Sequence, residues 1–225
     1  MSLQQKTIKG LIWSLIDNFA SIFIQLVVGI ILARILTPKQ FGLIGLITVF
    51  LAISQTFIDG GFSNSLIKKK DCTDQDYSTV FYFNIIVSLL FYFLLFTFSK
   101  AISLYFNEPK LTDLIKIIGL GLIIKSLSSV HNTILLININ FKLITKISIA
   151  STIISSLICL YLAYIGYGVW SLVIRALVGN FITTIMLWIF SKWVPKLIFD
   201  FKSLIEHFNF GYKLLFSSLI NTIYE

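Results

Sequence analysis

Two basic residues stand inside long apolar runs of this sequence, Lys125 in GLIIKSLSSV and Arg175 in VWSLVIRALV. An apolar medium does not solvate a charge, so each must meet water, an anion or a ring of dipoles. Ser128 and Asn132 follow Lys125 at helical spacing, and Ser171 lies about one turn from Arg175. This pattern predicts a water-filled cavity that favours anions.

Other polar side chains recur inside the apolar runs. The first run carries a stripe at offsets of 0, 3, 4, 7 and 11, which is one helical face: Ser14, Asp17, Asn18, Ser21 and Gln25. Two interpretations stay open for such stripes, because they either join packed helices by hydrogen bonds or line a lumen that binds a solute. On the second interpretation the candidate binding residues are Lys125, Arg175, Asp17, Asp59, Gln25, Asn84 and Asn132.

The sequence lacks the residue patterns that several kinds of chemistry require. With two His, no HExxH and no clustered carboxylates, we expect no metal site. The phosphate-cradling pattern GxxxxGK[ST] is absent, so we expect no ATP hydrolysis by this chain. Cys72 and Cys159 form neither a CxxC site nor a disulfide framework. We therefore expect a protein that is not an enzyme and that uses no cofactor.

The elements that carry these residues are predicted to be membrane helices. Of 225 residues, 57% are hydrophobic and 12% are charged, against roughly 25% charged residues in soluble domains. The apolar residues form blocks of about 20, the length with which a helix crosses the bilayer core. We predict an all-α, polytopic membrane bundle with six spans, at 10–36, 41–67, 77–98, 111–136, 142–165 and 168–190.

The basic residues predict the orientation of this bundle. With the N-terminus in the cytoplasm, the inner loops hold eleven Lys and the outer loops hold four Lys or Arg. Cytoplasmic loops carry such an excess, so the net charge of +8 follows from topology and needs no nucleic-acid partner. Membrane lipids are the expected surroundings of the chain.

The sixth span is followed by a segment of a different kind. Residues 193–210, WVPKLIFDFKSLIEHFNF, repeat apolar side chains at helical spacing and predict an amphipathic helix in the cytoplasmic interface. Residues 211–225 start a seventh span that stops short of a full crossing, which suggests a fragment. The predicted organisation is a six-helix lobe (1–192), a linker helix (193–210) and the start of a second lobe (211–225).

Four stretches carry a resemblance to a known family: ARILTPKQFGLIGL (33–46), FIDGGFSNSLIKKKD (57–71), TVFYFNIIVSLLFYFLLF (79–96) and YGVWSLV (167–173). They resemble the oligosaccharide-lipid flippases of the polysaccharide transporter branch of the multidrug/oligosaccharidyl-lipid/polysaccharide superfamily. The first stretch has the ARxLxPxxFG pattern, in which the first span ends and Pro38 precedes the second. Arg34 in this stretch can reach outer-leaflet phosphates, which makes it an eighth candidate residue.

The resemblance implies two facing bundles of six helices, with a lumen alternately open to each side of the bacterial cytoplasmic (inner) membrane. It implies a polyprenyl-pyrophosphate-linked oligosaccharide as substrate, moved outward for lipopolysaccharide (O-antigen), capsule or exopolysaccharide synthesis. Lys125 and Arg175 would then attract the pyrophosphate. Na⁺ or H⁺ as coupling ion, and other polysaccharide assembly proteins as partners, are compatible with this interpretation.

Three alternatives remain open at this stage. A drug/cation antiporter of the same fold would use acidic lumen residues. A glycan polymerase or ligase would need a larger outer loop than this sequence offers. A non-transporting membrane component of a synthesis complex is the third.

Overall fold

The computed structural model describes residues 3–59, 61–69, 71–209 and 211–212. Those residues form helices and connecting turns without a strand. The helices are α1 (Leu3–Ile35), α2 (Pro38–Asp59), α3 (Phe62–Lys68), α4 (Asp74–Tyr105), α5 (Leu111–Ile118), α6 (Leu120–Ile137), α7 (Phe141–Tyr164) and α8 (Val169–Ser191). A further helical stretch covers 201–209, and we call it the linker helix. Residues 213–225, where a seventh span was expected to start, lie outside the described part.

The predicted class is confirmed, because six stretches of the described chain are long and apolar enough to cross a membrane. Two of these spans are interrupted. The second breaks between α2 and α3 at Gly61, whose φ of 74° belongs to the left-handed region. The fourth divides into α5 and α6 at Gly119, where an added Cβ would meet the Ile115 carbonyl oxygen at 2.9 Å. The chain is therefore a multi-pass membrane protein with helix breaks in two of its spans.

Local sequence explains where the helices begin and end. Pro38 occupies the first position of α2, where its missing N–H costs nothing, and Thr37 before it leaves the helical region. At the start of α4, Thr73 and Asp76 form a capping box: the Thr73 side chain accepts from the Asp76 N–H, and the Asp76 side chain accepts from the Thr73 N–H. The third span, predicted from residue 77, thus begins at Asp74 and continues to Tyr105.

The helices pack in an order that differs from their order in the chain. α1 packs chiefly on α7, α7 on α8, α8 on α6, and α6 on α4, while α2 contacts α4, α8 and α6. Large apolar side chains point away from the bundle, as Phe19 (73% exposed) and Phe23 (68%) do on α1. Such outward apolar surfaces suit contact with lipid tails.

The two ends of the bundle differ in composition. We call the end where α2, α6 and α8 finish the basic end, because Lys68, Lys69, Lys142 and Lys192 lie there. We call the opposite end, with turns 36–37, 106–110 and 165–168, the far end.

Contacts between residues at the three turns connect these turns to one another at the far end. Lys39 Nζ lies 2.6 Å from Glu108 Oε1 and so connects the first two turns. The third turn packs on the first, since a Cβ on Gly168 would lie 2.6 Å from Gln40 Nε2. Contacts of the Lys39 and Gln40 side chains therefore join the three far-end turns to one another.

The linker differs from its prediction, because a single helix over 193–210 is wrong. Lys192 adopts a left-handed conformation that ends α8, and Pro195 prevents an immediate restart. The N–H groups of Lys196 and Asp200 then donate to the hydroxyls of Ser78 (3.0 Å) and Thr79 (3.1 Å) on α4. Residues 192–200 are consequently non-helical, and only 201–209 form the linker helix.

Candidate functional site

A cavity of about 970 Å³ lies in the half of the bundle nearer the basic end. Its lining residues come from α1, α2, α3, α5, α6, α7 and α8, and none of those identified belongs to α4. The polar members are Asp17, Gln55, Thr56, Asp59, Ser63, Asn64, Lys125, Ser128, Ser129, Asn132, Ser148, Ser151, Asn180 and Thr183. The volume is at the upper end of the ~300–1,000 Å³ typical of ligand sites.

Lys125 is the basic side chain of this cavity. It is exposed although it lies within a membrane span, because the cavity surrounds it. Asp59 lies near enough for the two charges to interact, but no ion pair within 4.0 Å joins them in the described structure. Asp59 Oδ1 instead accepts a hydrogen bond from Gln55 Nε2 at 3.1 Å. The Lys125 ammonium is therefore available to a solute.

Asp17 adds a second carboxylate to the lining. Its Oδ1 is buried and has no hydrogen-bond partner among the described residues. The cavity thus carries two carboxylates against one ammonium, and it is mixed in charge rather than uniformly basic. No group of three or more His, Cys, Asp or Glu in the described ranges is placed to hold a metal ion.

Small residues let the helices come close enough to enclose this space. A Cβ on Gly121 of α6 would lie 3.1 Å from Asn180 Nδ2, and one on Gly179 of α8 would lie 3.4 Å from Ser155 Oγ. Ser128 and Ser151 donate their hydroxyls to carbonyls three residues earlier in their own helices. Their oxygens can still accept a hydrogen bond from a solute.

The eight predicted residues do not all meet here. Lys125, Asp17, Asp59 and Asn132 line the cavity, whereas the other four lie elsewhere. Asn84 is fully buried and donates to Ser129 Oγ at 2.8 Å, which joins α4 to α6. Gln25 and Arg34 are exposed on α1. Arg175 is half-buried on α8 near the thiol of Cys159, outside the cavity lining.

The sequence interpretation missed two buried histidines. His131 Nδ1 lies 2.7 Å from Ser191 Oγ, and its ring packs against Trp188 and Trp193. His207 is 1% exposed and lies on the protein-facing side of the linker helix. The available signal was the polar face of 201–209, where Ser203 and His207 are one turn apart.

His207 belongs to a polar cluster at the basic end, centred on Asp76. Asp76 Oδ1 accepts from Ser203 Oγ (2.6 Å) and Lys69 Nζ (3.0 Å), and lies 3.4 Å from His207 Nε2. Lys69 Nζ also contacts Glu206 Oε2 at 3.1 Å. We call these five residues the Asp76 cluster.

Burial and charge act in opposite directions within this cluster. Burial lowers the pKa of His207, and the neighbouring Asp76 carboxylate offsets only part of that effect. Burial also disfavours the charged form of Lys69, but its hydrogen bonds to Asp76 and Glu206 prevail and raise the pKa of Lys69. A neutral histidine and a charged lysine therefore share the Asp76 carboxylate.

Comparison with known proteins gives a consistent set of relatives. The chain is 28% identical to the lipopolysaccharide biosynthesis protein WzxC of Escherichia coli (strain K12), over 98% of the chain and 45% of that protein. It is 26% identical to the teichuronic acid biosynthesis protein TuaB of Bacillus subtilis (strain 168), over 99% of the chain and 46% of that protein. It is 23% identical to the succinoglycan biosynthesis transport protein ExoT of Rhizobium meliloti (strain 1021), over 94% and 43%.

A family model also matches the part of the chain that forms most of the cavity. The chain spans about half the length of these curated relatives. No solved structure matches it significantly. Residues 31–225, which include most of the cavity lining, match the family described as polysaccharide biosynthesis protein. One of the relatives above is named for transport. The chain belongs to this polysaccharide biosynthesis protein family.

Proposed function

We propose that the chain is part of a flippase that moves polyprenyl-pyrophosphate-linked oligosaccharides across the bacterial cytoplasmic membrane. The role is transport and not catalysis. The observation that carries the proposal is the cavity: a large polar space inside a membrane bundle, where the Lys125 ammonium forms no ion pair with another residue that the structure describes. The family and the succinoglycan transport relative support the same class of solute.

The cavity suits the polar part of such a substrate. Asn64, Asn132 and Asn180 line it together with several Ser and Thr, and these side chains both donate and accept hydrogen bonds, as sugar hydroxyls require. Lys125 offers a positive charge to a phosphate. The polyprenyl tail would remain among the apolar surfaces that face the lipid.

The far-end contacts support an inward-facing arrangement. Lys39–Glu108 and Gln40–Gly168 hold the far-end turns together, whereas the cavity lies towards the basic end. The positive-inside rule puts the basic end in the cytoplasm. The cavity would then receive substrate from the cytoplasmic leaflet, where lipid-linked units are assembled.

The two carboxylates favour a second ligand. Asp17 Oδ1 is buried without a partner in the described structure, and Asp59 lies on the same cavity. Both are suited to Na⁺ or H⁺ as a coupling ion. The same pair favours the alternative function, a drug/cation antiporter, in which the carboxylates would hold the transported cation.

The experiment that tests the proposal is a flipping assay with the protein expressed from its complete gene. The protein is reconstituted in vesicles with a fluorescent polyprenyl-pyrophosphate oligosaccharide, and a membrane-impermeant quencher reports the leaflet. We expect the protected fraction to equilibrate faster than in protein-free vesicles. A labelled polyprenol without phosphate or sugar serves as the control lipid.

Two outcomes would contradict the proposal. Equal flipping of the control lipid would indicate a nonspecific scramblase. Exchange of an amphiphilic organic cation against Na⁺ or H⁺, without movement of the oligosaccharide lipid, would support the antiporter instead.

A further inference from the structure

We propose that α3 and the linker helix form one hinged unit, and that the Asp76 cluster is a latch that holds this unit against α4 and sets the opening of the cavity mouth. The latch would act whichever solute the cavity takes, and it would let residues far apart in the chain control access to the cavity.

The Asp76 carboxylate is the point where three segments meet. It caps α4, since Oδ2 accepts from the Thr73 N–H (2.9 Å) and the Thr73 hydroxyl (3.0 Å). Its other oxygen accepts from Lys69, just after α3, and from Ser203 on the linker helix. Asp76 is 3% exposed, and a buried carboxylate depends on all such partners. The three segments are thus joined at one charge.

The linker helix is fastened to α3 along its length. His207 Nδ1 lies 2.7 Å from Ser65 Oγ, and the Phe208 ring lies 6.3 Å from the Phe62 ring. Just beyond the two helices, a Cβ on Gly61 would lie 2.6 Å from the Gly211 carbonyl oxygen, so the backbones of these two glycines lie close together. The linker helix and α3 therefore contact at two levels, with the glycine contact next to them, and would move together.

Both halves of this unit have an evident hinge. Gly61, in its left-handed conformation, separates α3 from α2. The non-helical segment before the linker helix is held on α4 by Ser78 and Thr79, so the linker helix can pivot after Asp200. Hinges of this kind are a few residues at the ends of elements.

The unit also forms part of the cavity wall. Gly61, Ser63 and Asn64 line the cavity from the start of α3. Movement of α3 about Gly61 would therefore displace the wall at the basic end.

The chemistry of the contact suits repeated opening. The inward side of the linker helix carries the buried polar residues Ser203 (5% exposed) and His207 (1%), and Leu204 beside them packs against the apolar cluster around Phe62 and Leu66 of α3. Phe201 (67%) and Ile205 (47%) face outward. The polar groups that hydrogen-bond in the closed state can hydrogen-bond to water in the open state, so their part of the cost of release is modest. The outward apolar side chains can stay in the membrane interface in both states.

The test uses two thiols in permeabilised membranes, so that it does not depend on orientation. Native Cys72 is half-buried beside the latch and donates to the carbonyls of Leu66 and Lys69. Asn64→Cys in a Cys72→Ser background reports the cavity wall. Asp76→Asn removes the latch charge, and Asp71→Asn is the matched control, because Asp71 is an exposed carboxylate of the same loop.

Burial and the Asp76 charge both raise the pKa of Cys72, so the maleimide rates are compared at equal thiolate fraction. We expect Asp76→Asn to raise this rate at Cys72 by roughly tenfold or more, since hydrogen bonds to a charged group are lost. The same change should alter the rate at Asn64→Cys severalfold, and Asp71→Asn should alter neither rate. An unchanged Cys72 rate would overturn the latch. A higher maleimide rate at Cys72, together with an unchanged rate at Asn64→Cys, would overturn the coupling between the latch and the cavity.

Asp76→Asn could also prevent accumulation of the protein, because Asp76 caps α4. Ser203→Ala then replaces it, since this change removes one hydrogen bond to the carboxylate and leaves the Thr73 cap in place. A smaller rise in both rates is expected. Unchanged rates in a normally inserted Ser203→Ala protein would also overturn the proposal.

Discussion

Replacing Lys125 with Met tests the cavity most directly. Met keeps an unbranched apolar stem and removes the ammonium, which has no ion pair within 4.0 Å in the described structure. If that ammonium binds the phosphates of the substrate, Lys125→Met should lower glycan export while the protein still inserts and accumulates. Lys125→Arg keeps the charge and should preserve much of the export.

The expected magnitude follows from the position of Lys125. A hydrogen bond to a charged group contributes about 1.5–3 kcal/mol net, which corresponds to about a 10- to 150-fold loss in apparent affinity. The charge of Asp59 already acts on Lys125 across the cavity, so part of the attraction is offset. We therefore expect the lower half of that range. At limiting substrate, export should fall by a similar factor.

The assay measures export in a strain that lacks the chromosomal gene, with the level of each variant in the membrane measured alongside. Lys116→Met is the matched control. Lys116 lies on the same span, its Nζ is 4.9 Å from the centre of the Phe96 ring, and it does not line the cavity. The same loss of one ammonium should therefore leave export near the parental rate.

Two results would refute this reasoning. Export at the parental rate by the Lys125→Met protein would mean that the ammonium does not meet the substrate. Loss of the protein from the membrane would mean that Lys125 stabilises the bundle, with Asp59 as its structural partner.

Three further predictions follow from the structure. Lys39→Cys should react with an impermeant thiol reagent in whole cells and native Cys72 only after permeabilisation; the reverse would invert the predicted orientation. A peptide of 193–210 should gain helix on anionic vesicles, and less so at high salt, because its apolar side chains are exposed and flanked by lysines; no gain would contradict docking on the membrane surface. Burial lowers the pKa of His207 in the folded protein, so the contact between the linker helix and α3 should be intact above about pH 6.5 and weaken as the pH falls through the folded pKa. The alkylation rate of Cys72, divided by the rate in a His207→Gln protein, should then rise below pH 6.5. A ratio of the two rates that does not change with pH would exclude this titration.

The membrane spans could be predicted because their lengths and apolar composition suffice to identify them. Helix breaks were harder to predict. Gly61 and Gly119 are two glycines among several in the spans, and each packs against a residue from elsewhere in the chain, Gly211 for the first and Tyr92 for the second. Such neighbours are a property of the fold and not of the local pattern.

The candidate site was predictable only in part, for a related reason. Lys125 and Asn84 are both polar residues inside spans, yet one faces the cavity and the other donates to Ser129 between helices. A lumen and an interhelical hydrogen bond require the same residue types, so the sequence alone leaves both open. Arg175 shows the same limit, since depth in a span does not say which side of the helix faces the cavity.

The contact between Gly61 and Gly211 has a consequence for biosynthesis. These residues are separated by about 150 positions, and their backbones touch without room for a side chain. When α3 leaves the ribosome, the surface on which it will rest has not yet been made. The basic end of this lobe can therefore reach its final packing only after the sixth span has been inserted and residue 211 has followed. Until then, Ser65 and Asp76 lack partners from the linker helix and depend on water at that surface of the membrane.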